Sequence, residues 1–107
     1  MDGPPVSTVQ EYVPQTGKWE ARQNMLLPRT DFALCAYGGK IYALGGFQDG
    51  ALSDVEAYHP ISNRWDQQEA LSTPLQFLAA AVLNGKILVT GGTQALSDAT
   101  NRVLIYL

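Results

Sequence analysis

The sequence is poor in the residues that most enzymatic and membrane functions require. It holds one cysteine, Cys35, and one histidine, His59. A single thiol cannot form an internal disulfide, which leads us to expect a reducing, cytoplasmic setting. One Cys and one His give no clustered zinc or copper spacing, so no metal and no cofactor is expected. Positive charge is scarce as well: 7 Lys and Arg stand against 10 Asp and Glu, a formal charge of −3. Nucleic-acid binding needs clustered cations to neutralise phosphate, so a nucleic-acid partner is not expected. No run approaches the roughly 18 to 20 apolar residues that span a bilayer. Met1-Asp2-Gly3-Pro4-Pro5 has neither a positive nor an apolar stretch, so no secretory leader is expected there. No convincing helical period is found. No nucleophile elbow or phosphate loop is present, and 45–50 has the wrong glycine spacing for a dinucleotide fingerprint.

Glycine is plentiful, with ten residues among 107, and its placement is periodic. Shifted by 46 places, the chain matches itself at 12 of the 42 positions from 9 to 50, against roughly two or three for average composition. The matches include Tyr12 with Tyr58, Trp19 with Trp65, Gly45-Gly46 with Gly91-Gly92, and Gly39-Lys40-Ile41 with Gly85-Lys86-Ile87. A third partial copy starts near Arg102, where Tyr106 follows Tyr58 by 48 residues. Each copy reads as four short strands, a to d. Apolar runs at 32–37 and 40–44 flank Gly38-Gly39, and runs at 77–83 and 86–90 flank Asn84-Gly85. Such pairs predict hairpins with type I′ turns, whose two central residues need positive φ. Strands a and b are apolar on both faces, so both faces should be covered. Gly45-Gly46 and Gly91-Gly92 should end strand b. Strand c is expected at 9–12 and 54–58, and strand d around Trp19 and Trp65. The order is then c-d, a-b-c-d, a-b-c.

Four antiparallel strands per 40 to 50 residues is the pattern of a β-propeller blade. The motif Pro28-Arg29, Gly39-Lys40-Ile41-Tyr42, Gly45-Gly46, Tyr58-His59-Pro60, Trp65 resembles the kelch repeat. The second copy departs from it at Leu75 and Leu88, which replace Arg29 and Tyr42. The expected fold is all-β: a kelch-type propeller segment of about two four-stranded antiparallel blades plus a partial flanking blade. Its parts would be a tail at 1–8, a partial blade at 9–31, one repeat at 32–76 and an incomplete second repeat at 77–107. Gly45, Gly46, Gly91, Gly92, Tyr12, Trp19, Tyr58 and Trp65 read as structural motif residues. Two blades are too few to close a propeller, so the chain is expected to belong to a longer one or to self-assemble.

No catalytic residue is assigned. His59 should be an incidental exposed side chain, Cys35 a buried thiol, and Asp54 and Glu56 a solvated rim. The resemblance implies that the b–c loops at 47–53 and 93–101 and the d–a loops at 21–31 and 69–76 share one face and contact a protein partner. Arg29, Asp31, Phe47, Gln48, Asp49, Gln76 and Gln94 are the candidate contacts, with Phe47 exposed and Arg29 the bidentate cation. The implied function is a protein–protein interaction module, as in the substrate-recognition part of a BTB-kelch adaptor for a cullin-RING ubiquitin ligase or an actin-associated scaffold. Two alternatives stay open: part of a carbohydrate-active kelch enzyme (a sugar isomerase or oxidase) with its catalytic groups on other blades, and an inactive fragment.

Overall fold

The computed structural model describes residues 4–93 and 103–107. Nine strands follow in order: β1 (Val9–Val13), β2 (Lys18–Arg22), β3 (Ala33–Tyr37), β4 (Lys40–Leu44), β5 (Val55–His59), β6 (Arg64–Gln68), β7 (Gln76–Leu83), β8 (Lys86–Thr93) and β9 (Val103–Ile105). They form three antiparallel sheets, β1-β2, β3-β4-β5-β6 and β7-β8-β9, and no helix occurs among the described residues. The middle sheet is one complete a-b-c-d blade. The others are a c-d pair and an a-b-c set.

Both predicted hairpin turns have their left-handed residues, with φ of 58° and 77° at Gly38-Gly39 and 51° and 72° at Asn84-Gly85. The 46-residue period recurs in the backbone torsions of the described residues. Positive φ recurs in the pairs Gly17 and Asn63, Asp31 and Phe77, Gly45 and Gly91, and Gly46 and Gly92. Loop hydrogen bonds repeat too. Met25 N donates to Ser7 O as Leu71 N donates to Ser53 O, both at 2.8 Å; Arg29 N to Val6 O is matched by Leu75 N to Leu52 O. Side chains obey the same period: Tyr12 stands opposite Trp19 with ring centroids 5.3 Å apart, and Tyr58 opposite Trp65 at 5.1 Å.

The main core lies between the middle sheet and β7-β8-β9. Ala33, Tyr42, Leu44, Val55 and Ala57 on one side meet Leu78, Ile87 and Val89 on the other. Tyr42 sits edge-on to both Tyr37 and Tyr106, at 6.1 and 6.2 Å, and the Tyr37 hydroxyl donates to Gly85 O at 2.7 Å, tying the two sheets together. Burial pushes the Cys35 thiol pKa up, and also that of Tyr42, which the neighbouring Tyr37 and Cys35 raise further. A second cluster of Met25, Ala43, Tyr58 and Trp65 fills the opposite face of the middle sheet.

Several expectations need correction. β8 does not stop before Gly91-Gly92; it runs on to Thr93, because Gln76 pairs with Thr93 and Leu78 with Gly91. The a–b strands of the middle sheet are not covered on both faces. Leu34 is 55% exposed and Ile41 37%, because no a–b hairpin precedes this sheet among the described residues. Glu56 is not part of a solvated rim; it is buried, turned toward the loop that carries Arg29. His59 is half-buried, 2.9 Å from Asp66 on the neighbouring strand.

Candidate interaction face

The loops that join the strands at one end of the sheets are stitched to one another by backbone hydrogen bonds. Residues 47–53 lie between two d–a loops. On one flank Phe47 and Thr30 exchange bonds of 2.8 and 3.1 Å. On the other, Gly46 N donates to Leu75 O and Leu75 N to Leu52 O. Gly46 has φ of 105°, and a Cβ there would come within 2.7 Å of both Phe32 Cβ and Thr30 O. Only glycine lets the strand end and the loop approach so closely.

Arg29 is at the centre of this stitching, and its burial overturns the expectation that it meets a partner. It is 1% exposed. Its guanidinium pairs with Glu56 Oε2 at 2.7 Å and donates to Gly45 O at 2.8 Å and Asp54 O at 3.1 Å. Glu56 also accepts from the amides of Leu26, at 2.6 Å, and Leu27, at 3.3 Å. The pair therefore holds the d–a loop against the outer part of the blade. A planar fork with several donors suits this work, since it reaches a carboxylate and two backbone carbonyls at once.

The other expected contacts divide. Gln76 is also buried, 4% exposed, because it starts β7 opposite Thr93, so it leaves the surface set as well. Phe47 is half-buried rather than exposed, since its backbone pairs with Thr30 and bridges to Ala51. Gln48 is half-buried, its amide donating to Gly50 O across the loop tip. Asp49 is exposed at that tip, with φ of 56°. Asp31 is half-buried and also left-handed, at 56°. Gln94 lies outside the described residues. Among the structural motif residues, Tyr58 and Trp65 are buried, whereas Tyr12 and Trp19 are 47% and 65% exposed.

Two residues that hold these loops escaped the sequence reading. Phe77 occupies the position equivalent to Asp31, is 50% exposed, and has φ of 57°. Its amide donates to Asp31 O at 2.8 Å. A bulky residue in the left-handed region is a true outlier and costs on the order of 1–3 kcal/mol. The alignment with Asp31, a type that tolerates this conformation, was the available signal. The second is Asn63, whose Oδ1 accepts from Tyr58 Oη at 2.7 Å and from Gln23 N at 2.9 Å, while Trp65 Nε1 donates to Gln23 O. These bonds fix the outer end of the same d–a loop. No group of three or more His, Cys, Asp or Glu that could hold a metal occurs among the described residues.

Blades of this construction, with repeating loops laced at one end, define a segment of a β-propeller. Residues 28–71 match the family model of the kelch motif. Among solved structures 113 chains match, and one, described as the structure of YjhT, aligns with a TM-score of 0.68 at 27% identity over 72% of this chain. This chain covers 25% of that one, so it spans about a quarter of its length. No curated protein matches it. Residues 28–71 therefore carry a kelch motif, and the chain as a whole is similar to a kelch-repeat propeller segment.

Proposed function

We propose that the chain works as a protein-interaction module whose partner contacts the laced loop face, with Phe77, Asp31, Phe47 and Asp49 as the contact group. The observation that carries this reading is Phe77: an aromatic side chain, half-exposed, held in a left-handed conformation by its bond to Asp31. Strain of this kind persists only where the surroundings impose it, and it clusters at functional sites. Rigid stitching lowers the ordering cost of binding, and aromatic anchors dominate interface energetics. The resemblance to kelch proteins extends the proposal to a setting: the substrate-recognition part of a BTB-kelch adaptor for a cullin-RING ligase, or an actin-associated scaffold, in the cytoplasm.

The test compares proteins captured by the native chain with those captured by Phe77→Gly and Asp49→Lys. Glycine suits a φ of 57°, so Phe77→Gly leaves the fold at least as stable while removing the anchor. Loss of the same captured proteins in both variants, with unchanged thermal unfolding, is the expected result. An unchanged set of captured proteins overturns the proposal. Cullin-ligase subunits among them, or co-sedimentation with actin filaments, would separate the two settings.

A further inference from the structure

Of the four asparagines in the chain, Asn84 alone precedes glycine; Asn24, Asn63 and Asn101 precede Met25, Arg64 and Arg102. The distinction is chemical. A backbone nitrogen attacks the side-chain carbonyl of the asparagine before it only where it is unhindered, and the side chain on the attacking residue is the usual obstacle. Glycine has none, and nothing lies within 4 Å of where a Cβ on Gly85 would sit. Asn84 and Gly85 are both exposed. The ladder closes on the Leu83–Lys86 pair, so the Gly85 amide lies inside the two-residue turn and outside the ladder. Asn63 is the contrast: its Oδ1 is held by Tyr58 Oη and the Gln23 amide, and Arg64 follows it. The exposure of Asn84 belongs to the turn itself. Gly38 and Gly39, at the equivalent turn, are exposed although β7-β8-β9 packs on their sheet.

We propose that Asn84-Gly85 is a self-modifying site, at which the chain deamidates and thereby loosens the tie between its two larger sheets. The Gly85 nitrogen gives up its proton to hydroxide and attacks Asn84 Cγ. The bond from Cγ to the side-chain nitrogen breaks, ammonia leaves, and a five-membered imide remains. Water then adds to one of the two imide carbonyls. Opening at Cγ leaves an ordinary aspartate, and opening at the main-chain carbon leaves an isoaspartate. The two products differ in what they do to the turn. Aspartate tolerates the left-handed region and keeps the chain length, so the hairpin persists with one added negative charge beside Lys86. The isoaspartyl backbone runs through Cβ and Cγ and is one carbon longer between Leu83 and Gly85. A two-residue turn with φ of 51° and 72° fixes the register of its strands and has no slack for that carbon. Gly85 O must move, and Gly85 O is the acceptor of the Tyr37 hydroxyl at 2.7 Å, the bond that joins the middle sheet to β7-β8-β9. The equivalent turn, Gly38-Gly39, has no side-chain amide and is immune.

The experiment incubates the full chain in mildly alkaline buffer and follows it by peptide mass mapping. The peptide that holds 84–85 should show the mass gain of amide to carboxylate well before those that hold Asn24, Asn63 and Asn101, and faster as the pH rises. The isoaspartyl share is read by labelled methyl transferred from S-adenosylmethionine by an isoaspartyl methyltransferase. Asn84→Gly gives this turn the Gly-Gly pair of 38–39, so it should fold normally and lose both signals. The isoaspartyl form, separated by ion exchange, should unfold at lower urea than the fresh chain, with faster hydrogen exchange across 86–89, whereas Asn84→Asp should stay close to the fresh chain. In Tyr37→Phe the tie is already gone, so isoaspartate formation should lower the midpoint by less than it does in the native chain. Conversion of Asn84 no faster than that of the other three asparagines overturns the proposal. So does an isoaspartyl form whose midpoint and exchange match the fresh chain, or one whose losses are equal with and without the Tyr37 hydroxyl.

Discussion

Arg29 and Glu56 meet at 2.7 Å inside one repeat, and the same two positions one repeat later are Leu75 and Leu104. The register proves the second equivalence: Ala43 faces Glu56 as Val89 faces Leu104, and Ala43 and Val89 are 46 residues apart. Leu75 is part of the apolar core and Leu104 packs against it. The fold therefore accepts either a buried ion pair or two leucines at this point, provided both members change together. This is the behaviour expected where the desolvation of two charges offsets most of their attraction.

The first prediction follows from that substitution. Glu56→Leu alone strands a buried guanidinium and should cost about 3–5 kcal/mol. The double change Arg29→Leu with Glu56→Leu should cost less than Glu56→Leu, although the amides of Leu26 and Leu27 lose their acceptor. Urea unfolding of the two singles and the double, arranged as a cycle, measures the coupling. Additive losses would show that the pair does not act as a unit.

A second prediction separates two glycines that the repeat makes equivalent. Gly91 has φ of 70° with open space where a Cβ would sit, so Gly91→Ala should cost about 1–2 kcal/mol, the left-handed penalty alone. Gly45 has nearly the same φ, 65°, but its Cβ would lie 2.6 Å from Leu75 O. Gly45→Ala must therefore also push the backbone of the next loop, and should destabilise the chain by more than Gly91→Ala. Equal shifts in the unfolding midpoint would mean that the close approach of 45 to 75 carries no weight.

What was legible in the sequence and what was not divides along range. The hairpins at 38–39 and 84–85 follow from local turn chemistry, and the four-strand unit follows from the period, so both could be read in the chain itself. Arg29 could not. A cation beside a proline at the start of a repeat looks like a surface group until its partner, 27 residues away, is placed against it. Glu56 misled for the same reason, because alternation along β5 suggests a wet face, and only the packing of residues 26–29 makes that face a buried one. Tyr12 and Trp19 share their motif with Tyr58 and Trp65 but not their burial, since burial depends on a neighbouring blade and not on the strand that bears the residue.

Asn63 offers a third test, of the outer anchor of the d–a loop. Its φ of 55° matches that of glycine, which stands at the equivalent position as Gly17. Asn63→Gly keeps the backbone at ease and removes two hydrogen bonds, a loss of about 1–3 kcal/mol for the pair. Asn63→Ala adds the left-handed penalty of about 1–2 kcal/mol. The gap between the two variants measures the strain, and faster hydrogen exchange at the Gln23 amide in both would locate the loosened segment. No change at Gln23 would show that the side chain does not hold that loop.

The last prediction concerns alkaline pH. Burial raises the pKa of Tyr106, as do the nearby Tyr42 and Glu69, from 10.0 to about 12, and its hydroxyl donates to Glu69 O. Between about pH 10 and 12 the unfolded chain therefore releases a proton that the folded chain keeps. Fewer protons on the unfolded state mean that stability falls as pH rises through this window. Cys35 and Tyr42, both shifted upward by burial, act in the same direction, the thiol beginning near its ordinary value of 9.0. Tyr106→Phe removes one of these titrations at the cost of one hydrogen bond. The variant should be less stable than the native chain at pH 8, and the difference should shrink or reverse by pH 11, as read from urea midpoints across the range. Parallel curves would place the Tyr106 hydroxyl in water, free of the Tyr42 and Glu69 contacts that shift it.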